Sequence, residues 1–146
     1  MIIDLKKLRI SGKQESNFFF EYELTENLSD IPNTEIVNPI KISGTVFLTG
    51  QHSAYLEGEI EYLLKGSCTR CLEDVEHKFV IDFNEEVEQN NPDGYSVVCD
   101  KIDLTKIVCD RIILSLPINF LCKDDCRGIC VGCGANLNQE ECKCKK

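Results

Sequence analysis

The stretch Leu56-Glu57-Gly58-Glu59-Ile60-Glu61-Tyr62-Leu63-Leu64 decides the fold: apolar residues at 56, 60, 62 and 64 alternate with glutamates at 57, 59 and 61. A period of two places one set on each face of an extended chain. The segment is therefore predicted to be a half-buried antiparallel strand with its acid turned to water. Three further runs share the period: Phe18, Phe20, Tyr22 and Leu24; Ile40, Ile42, Val46 and Leu48; Val75, His77, Phe79, Ile81 and Phe83. Gly44 and Gly58 fall in the apolar phase, where a missing side chain predicts a bulge or the close approach of another backbone. A curved meander or barrel-like antiparallel sheet is expected.

Beyond these runs, Asn90-Asn91-Pro92-Asp93-Gly94 is dense in turn residues and reads as a surface loop, with a short strand over Tyr95–Cys99 after it. From Asp103 the period becomes helical. Leu104, Val108, Cys109, Ile112, Ile113 and Leu116 share one arc, with Lys106 and Asp110 opposite. Asp103 is a good N-cap and Pro117 a stop, so one main helix is predicted near 103–116. The fold class is α+β: a β-rich globular domain over 1–121 and a cysteine-rich tail over 122–146. That tail has almost no large apolar residue and needs something other than side-chain burial to order it.

The chain has 146 residues, 42% of them hydrophobic, which is enough for one core to fold without disulfide staples. Its ten cysteines therefore need another reason. Met1–Ile10 carries Asp4, Lys6, Lys7 and Arg9, unlike an export signal. The longest apolar stretch, Ile112–Cys122, is broken by Ser115, Pro117 and Asn119 and falls short of the roughly 20 residues a membrane-spanning helix needs. A soluble, cytoplasmic protein is expected, and in a reducing compartment clustered cysteines are metal ligands or redox groups more often than disulfides.

Six cysteines, Cys122, Cys126, Cys130, Cys133, Cys142 and Cys144, fall in the tail, and Cys68 and Cys71 form a separate pair. Cys130-Val-Gly-Cys133-Gly134 has the form of a zinc knuckle: a tight turn brings two thiolates to one metal, and glycine accepts positive φ just after. Cys142 and Cys144, or Cys122 and Cys126, would complete the four ligands, and the spacing leaves both open. One structural zinc is expected. A second is arithmetically open, because eight clustered thiols make two sets of four and Cys68-Thr-Arg-Cys71 is half a site. That pair sits between two strand runs, at a hairpin tip, unlike thioredoxin-type redox pairs at helix N-termini. Cys99 and Cys109 read as ordinary small apolar residues, Cys99 on its strand and Cys109 on the helix arc.

With two histidines, His77 in the apolar phase and His52 in a loop, and no P-loop, dinucleotide fingerprint, G-x-S-x-G or H-E-x-x-H, neither an enzyme nor a small-molecule substrate is indicated. A nuclease would have to rest on Asp124 and Asp125 alone. The net charge of −9 argues against a broad nucleic-acid-binding surface. Basic residues are dense only around the knuckle, where Arg127, Lys143 and Lys145 join Arg70 as candidate contacts to RNA or another partner. The stripe Glu57, Glu59, Glu61 and the run Glu85, Glu86, Glu88 leave two readings open, a solvated face that keeps the protein soluble and a surface for a basic protein.

Taken together, Cys68-Thr-Arg-Cys71-Leu72, Ile112-Ile-Leu-Ser-Leu-Pro117, Cys126-Arg-Gly-Ile-Cys130-Val-Gly-Cys133-Gly-Ala-Asn-Leu-Asn138 and Cys142-Lys-Cys144 resemble the YceD family, long a domain of unknown function. The resemblance implies a non-catalytic role in accumulation of large-subunit ribosomal RNA, in bacteria and chloroplasts. It also implies a frequent genomic neighbour encoding a large-subunit ribosomal protein. The expected partners are large-subunit rRNA or its precursor, or a basic large-subunit ribosomal protein, with no membrane. Some family members keep the first cysteine motif without the tail cysteines, which would make the tail zinc an elaboration. The competing reading is a zinc-thiol redox sensor or holdase that releases its metal on oxidation.

Overall fold

The computed structural model describes residues 1–90 and 94–144. The turn residues Asn91-Pro92-Asp93 and the candidate contact Lys145 lie outside them. Nine elements follow in order: β1 (Ile2–Asp4), α1 (Leu5–Ile10), β2 (Glu15–Tyr22), β3 (Thr34–Gly50), β4 (Ser53–Ser67), β5 (Asp74–Gln89), β6 (Ser96–Val97), β7 (Lys101–Asp103) and α2 (Leu104–Ser115). The molecule is mostly sheet. β2 through β5 form an antiparallel meander, β6 adds to β5 in parallel at the edge, and β1 pairs with β7 as a separate ribbon. Among the described residues no pairing joins β2 to β6, so the sheet is open and the barrel-like alternative is not seen.

The alternation predicted from sequence places the core. Ile42, Val46, Leu56, Ile60, Tyr62, Leu64, Phe83 and Val87 are buried on one face, and α2 lies against that core through Leu104, Ile107, Val108 and Ile112. The buried arc of α2 includes Ile107 in place of the predicted Ile113, which is 46% exposed. Tyr62 Oη and Ser115 Oγ share a hydrogen bond of 2.8 Å, fixing the end of the helix to the sheet. Asp103 caps α2 by accepting from Thr105 N at 2.9 Å, and the helix ends at Ser115, with Leu116 as its extended cap ahead of Pro117.

Gly44 and Gly58 are directly paired, with the register shifts of β3 elsewhere, between Val37 and Lys41 and between Leu48 and Gly50. Of the two sequence expectations, the close approach holds. A Cβ on Gly44 would sit 2.2 Å from the Glu57 carbonyl oxygen and 2.8 Å from the Phe18 ring. On Gly58 it would meet the Ser43 carbonyl at 2.2 Å and the Phe83 ring at 3.1 Å. The two rings close over a glycine pair that leaves no room for a methyl group.

Two local expectations need correction. Cys99 is exposed and adopts φ 53° in a turn with Asp100, just after β6, rather than lying on a strand. The N-terminal helix α1, capped by Asp4 and burying Leu5 and Leu8, was not predicted, because six residues carry too little periodicity to read.

Candidate metal centres

The β4–β5 connection is short and held by backbone hydrogen bonds. Cys68 N donates to Glu73 O at 2.8 Å, Leu72 N to Cys68 O at 3.0 Å, and Thr69 N to Phe120 O at 2.7 Å. The last bond brings the chain after α2 alongside the hairpin tip. His77 on β5 completes the junction: its Nε2 lies 2.6 Å from the Leu121 carbonyl, and its ring meets Phe120 edge-on at 5.3 Å. Because that carbonyl can only accept, Nε2 carries the proton. His77 is thus the packed, hydrogen-bonded residue its phase indicated, and it fixes the position of the next residue, Cys122.

The result is a proximal group of four thiols, Cys68, Cys71, Cys122 and Cys126, whose sulfurs all lie within 4.8 Å of one another. Cys68 and Cys126 are 3.7 Å apart, Cys71 and Cys122 3.5 Å. The remaining four tail cysteines form a distal group of the same kind, with Cys130 lying 3.3 Å from Cys142 and 3.6 Å from Cys144, and Cys133 4.0 Å from Cys142. These spacings are far beyond a disulfide bond of about 2.05 Å. They match the edge of a sulfur tetrahedron, about 3.8 Å for metal–sulfur bonds near 2.3 Å. A tetrahedral tetrathiolate suits zinc or iron. Both groups have the donor set and the size for one divalent ion each.

Each group starts from the same turn. In the proximal group the backbone N–H groups of Cys71 and Arg70 point at the Cys68 sulfur, and in the distal group those of Cys133 and Gly132 point at Cys130. Burial works against the Cys68 thiolate, but the N–H groups outweigh it and hold the thiol down to about 6, and Cys130 is held down to about 6 by its own pair. Cys122 is pushed up to about 12, first by burial and then by its neighbouring thiols, and Cys144 to about 12 by Cys130 and Cys142. In each tetrad one thiolate is favoured by backbone N–H groups and another is opposed, by burial first at Cys122 and by neighbouring thiols at Cys144.

Burial separates the groups. Cys68, Cys71 and Cys126 are buried with Cys122 half-buried, whereas Cys133, Cys142 and Cys144 are exposed and Cys130 is half-buried. Polar side chains tie the proximal group to the segments beside it. Arg70 Nη1 donates to Cys126 O at 3.0 Å, and Asn138 Nδ2 donates to Cys126 Sγ at 3.3 Å. Glu73 Oε1 accepts from Asn136 Nδ2 at 2.9 Å and also from Gln139 Nε2. Asn136 and Asn138 fall within the motif quoted for the family resemblance, but nothing in the sequence gave them this role, and Gln139 and Glu73 carried no signal beyond their nearness to cysteines.

The candidate contact residues divide. Arg70 is engaged with the proximal group; Arg127 is exposed; Lys143 is exposed and paired with Glu140 at 3.2 Å. Asp124 and Asp125 belong to neither thiol group. Glu85 turns toward α2 and pairs with Arg111, away from Glu86 and Glu88. No helix among the described residues is long and apolar enough to cross a membrane.

Comparison with known proteins places this arrangement. The chloroplastic protein of Arabidopsis thaliana named Large ribosomal RNA subunit accumulation protein YCED homolog 1 is 41% identical over 44 residues, 30% of this chain and 14% of the relative. Its Zea mays counterpart is 30% identical over 66 residues, 44% of this chain and 22% of the relative. The uncharacterized protein YlbN of Bacillus subtilis is 27% identical over 119 residues, 73% of this chain and 67% of the relative. The chain thus spans less than a quarter of the length of either chloroplast protein. No solved structure matches it. The model of the family described as Large ribosomal RNA subunit accumulation protein YceD matches residues 56–146, from β4 through both thiol groups, and the chain belongs to the YceD family.

Proposed function

We propose that this chain is a non-catalytic cytoplasmic factor that supports accumulation of large-subunit ribosomal RNA, with a structural zinc ion in each four-cysteine group. The family match over residues 56–146 carries the reading, since the family is named for that role and the matched segment contains all eight clustered cysteines. A structural zinc contributes on the order of 10–16 kcal/mol in small peptides, ample to order the cysteine-rich tail through Cys144 on the β-rich domain before it.

For the contact with the ribosome's components, the sheet favours a basic large-subunit ribosomal protein. On the face turned away from α2, Glu57 and Glu59 of β4 are exposed, Glu59 is paired with Asp82, and the neighbouring Tyr55 is paired with Glu86. Arg127 and Lys143, both exposed, are candidates for contact with RNA.

The test is capture of the tagged full chain from growing cells at moderate salt, with bound RNA and protein identified together. Enrichment of large-subunit rRNA precursor or large-subunit proteins is expected. Contact through protein is expected to weaken in a Glu57→Lys, Glu59→Lys variant, and contact through phosphate in Arg127→Ala, with steep salt dependence. Recovery of only unfolded clients or thiol-handling enzymes would overturn the proposal in favour of a redox-regulated holdase.

A further inference from the structure

We propose that the two four-cysteine groups bind metal cooperatively, with Asn138 as the outer-sphere residue that links them. The inference rests on the reading that both groups hold a metal ion. Asn138 lies in the segment 134–141, between two distal ligands, Cys133 and Cys142, yet its side chain acts on the proximal group. Its Nδ2 donates to Cys126 Sγ at 3.3 Å, and its Oδ1 accepts from Arg127 N at 2.9 Å, the residue after that ligand. Its own backbone N donates to Asn136 Oδ1 at 3.0 Å. Asn136 in turn reaches Glu73, two residues past proximal ligand Cys71.

The distal ion would reinforce the placement of this segment. Of residues 134–141 only Ala135 is buried, and the loop is held by hydrogen bonds, Cys130 N to Ala135 O at 2.9 Å, Leu137 N to Gly128 O at 2.9 Å and Asn136 Nδ2 to Glu73 Oε1 at 2.9 Å, to which closure between Cys133 and Cys142 would add. Once closed, the loop delivers an amide N–H to a proximal sulfur. Four thiolates around one divalent ion leave about two uncompensated negative charges, and an N–H donor to sulfur offsets part of them. Loss of such outer-sphere partners costs about 10–100-fold in metal affinity. Coupling through binding is reciprocal, so a filled proximal group tightens the distal one by the same factor.

The test is titration of the full chain with zinc and with cobalt(II), against a competing chelator, in five forms. These are the wild type; a Cys142→Ser, Cys144→Ser variant, which leaves only the proximal group; Asn138→Ala; Asn138→Asp; and Asn138→Ala combined with the double serine variant. The aspartate retains an acceptor for Arg127 N–H but loses the donor to sulfur. Two ions per wild-type chain are expected. Proximal affinity is expected to fall about 10–100-fold in the double serine variant and comparably in Asn138→Ala and Asn138→Asp. Adding Asn138→Ala to the double serine variant should cost little more, because both changes remove one interaction. Two ions in the wild type, with proximal affinity within about twofold of that value both in Asn138→Ala and in the double serine variant, would overturn the coupling and leave the two-site reading intact. Fewer than two ions in the wild type would overturn both.

Discussion

Cys68-Thr69-Arg70-Cys71-Leu72 and Cys130-Val131-Gly132-Cys133-Gly134 are one turn built twice. In each, the N–H groups two and three residues on point at the first sulfur, and the fifth residue donates its N–H back to the first carbonyl, at 3.0 Å from Leu72 and 2.9 Å from Gly134. In each the fifth residue has positive φ, 63° at Leu72 and 75° at Gly134. The settings differ. The proximal turn is the tip of a hairpin of 15- and 16-residue strands, and its second ligand pair comes from the chain after α2, about fifty residues on. The distal turn is closed by cysteines twelve and fourteen residues after its first and lies in water. The same local chemistry acts as a clasp between distant parts of the chain in one place and as a self-contained loop in the other.

That contrast gives the largest expected effect. Cys71→Ser removes a buried ligand, and a structural ion of this kind supplies on the order of 10–16 kcal/mol in small peptides. The chain after α2 is expected to come away from the sheet. Hydrogen exchange should lose protection at the Thr69 and Cys68 amides, and melting should occur in two steps. Cys133→Ser is expected to free the distal loop and to leave the sheet's melting temperature nearly in place. Its reach into the proximal group is limited to the weakening carried by Asn138, about 1.4–2.7 kcal/mol for a 10–100-fold change. Equal losses of melting temperature in the two variants would break the distinction between clasp and loop.

The same contrast explains what the sequence could disclose. The strand runs, α2 with its Asp103 cap and Pro117 stop, and the knuckle at Cys130 are local patterns, and each is legible because the residues that make it are neighbours in the chain. Eight cysteines in two sets of four were countable. Assigning Cys122 and Cys126 to Cys68 and Cys71 depends on Thr69 meeting Phe120 and His77 meeting Leu121, contacts that exist only once the meander has formed. The open edge of the sheet and the pairing of β1 with β7 are nonlocal in the same way. Asn136, Asn138 and Glu73 stayed hidden because an amide or carboxylate becomes an outer-sphere partner only through the geometry that surrounds it.

A second pair of variants sharpens the comparison at the fifth residue of each turn. Leu72 occupies a left-handed conformation that costs a non-glycine residue roughly 1–2 kcal/mol, and it is 64% exposed, so little burial compensates. The clasp tolerates this strain because the hairpin and the second ligand pair over-determine the turn. Leu72→Gly is expected to stabilise the proximal group by up to about 1 kcal/mol, the relief of strain less the added freedom of the unfolded chain. Gly134→Ala should cost the distal group about 1 kcal/mol, since a Cβ there meets no atom within 4 Å and only the backbone conformation is strained. Chelator competition on each variant reads both numbers. A loss on Leu72→Gly would mean that the leucine side chain itself supports the turn.

The smallest effect tests how firmly the loop rests on the clasp. Glu73 accepts from both Asn136 and Gln139, and Asn136 is half-buried, so Glu73→Ala removes two hydrogen bonds between the distal loop and the hairpin tip. Hydrogen bonds to charged groups contribute about 1.5–3 kcal/mol when protected, and exposure of Gln139 brings the expected total nearer 1 kcal/mol. Because Asn138 still bonds Cys126 and Arg127, the loss should appear as faster proteolysis within 134–141 while the sheet melts as before. If Glu73→Ala lowered the melting of the whole chain as Cys71→Ser does, the loop would be part of the clasp, and the two groups would be one structural unit rather than two that communicate.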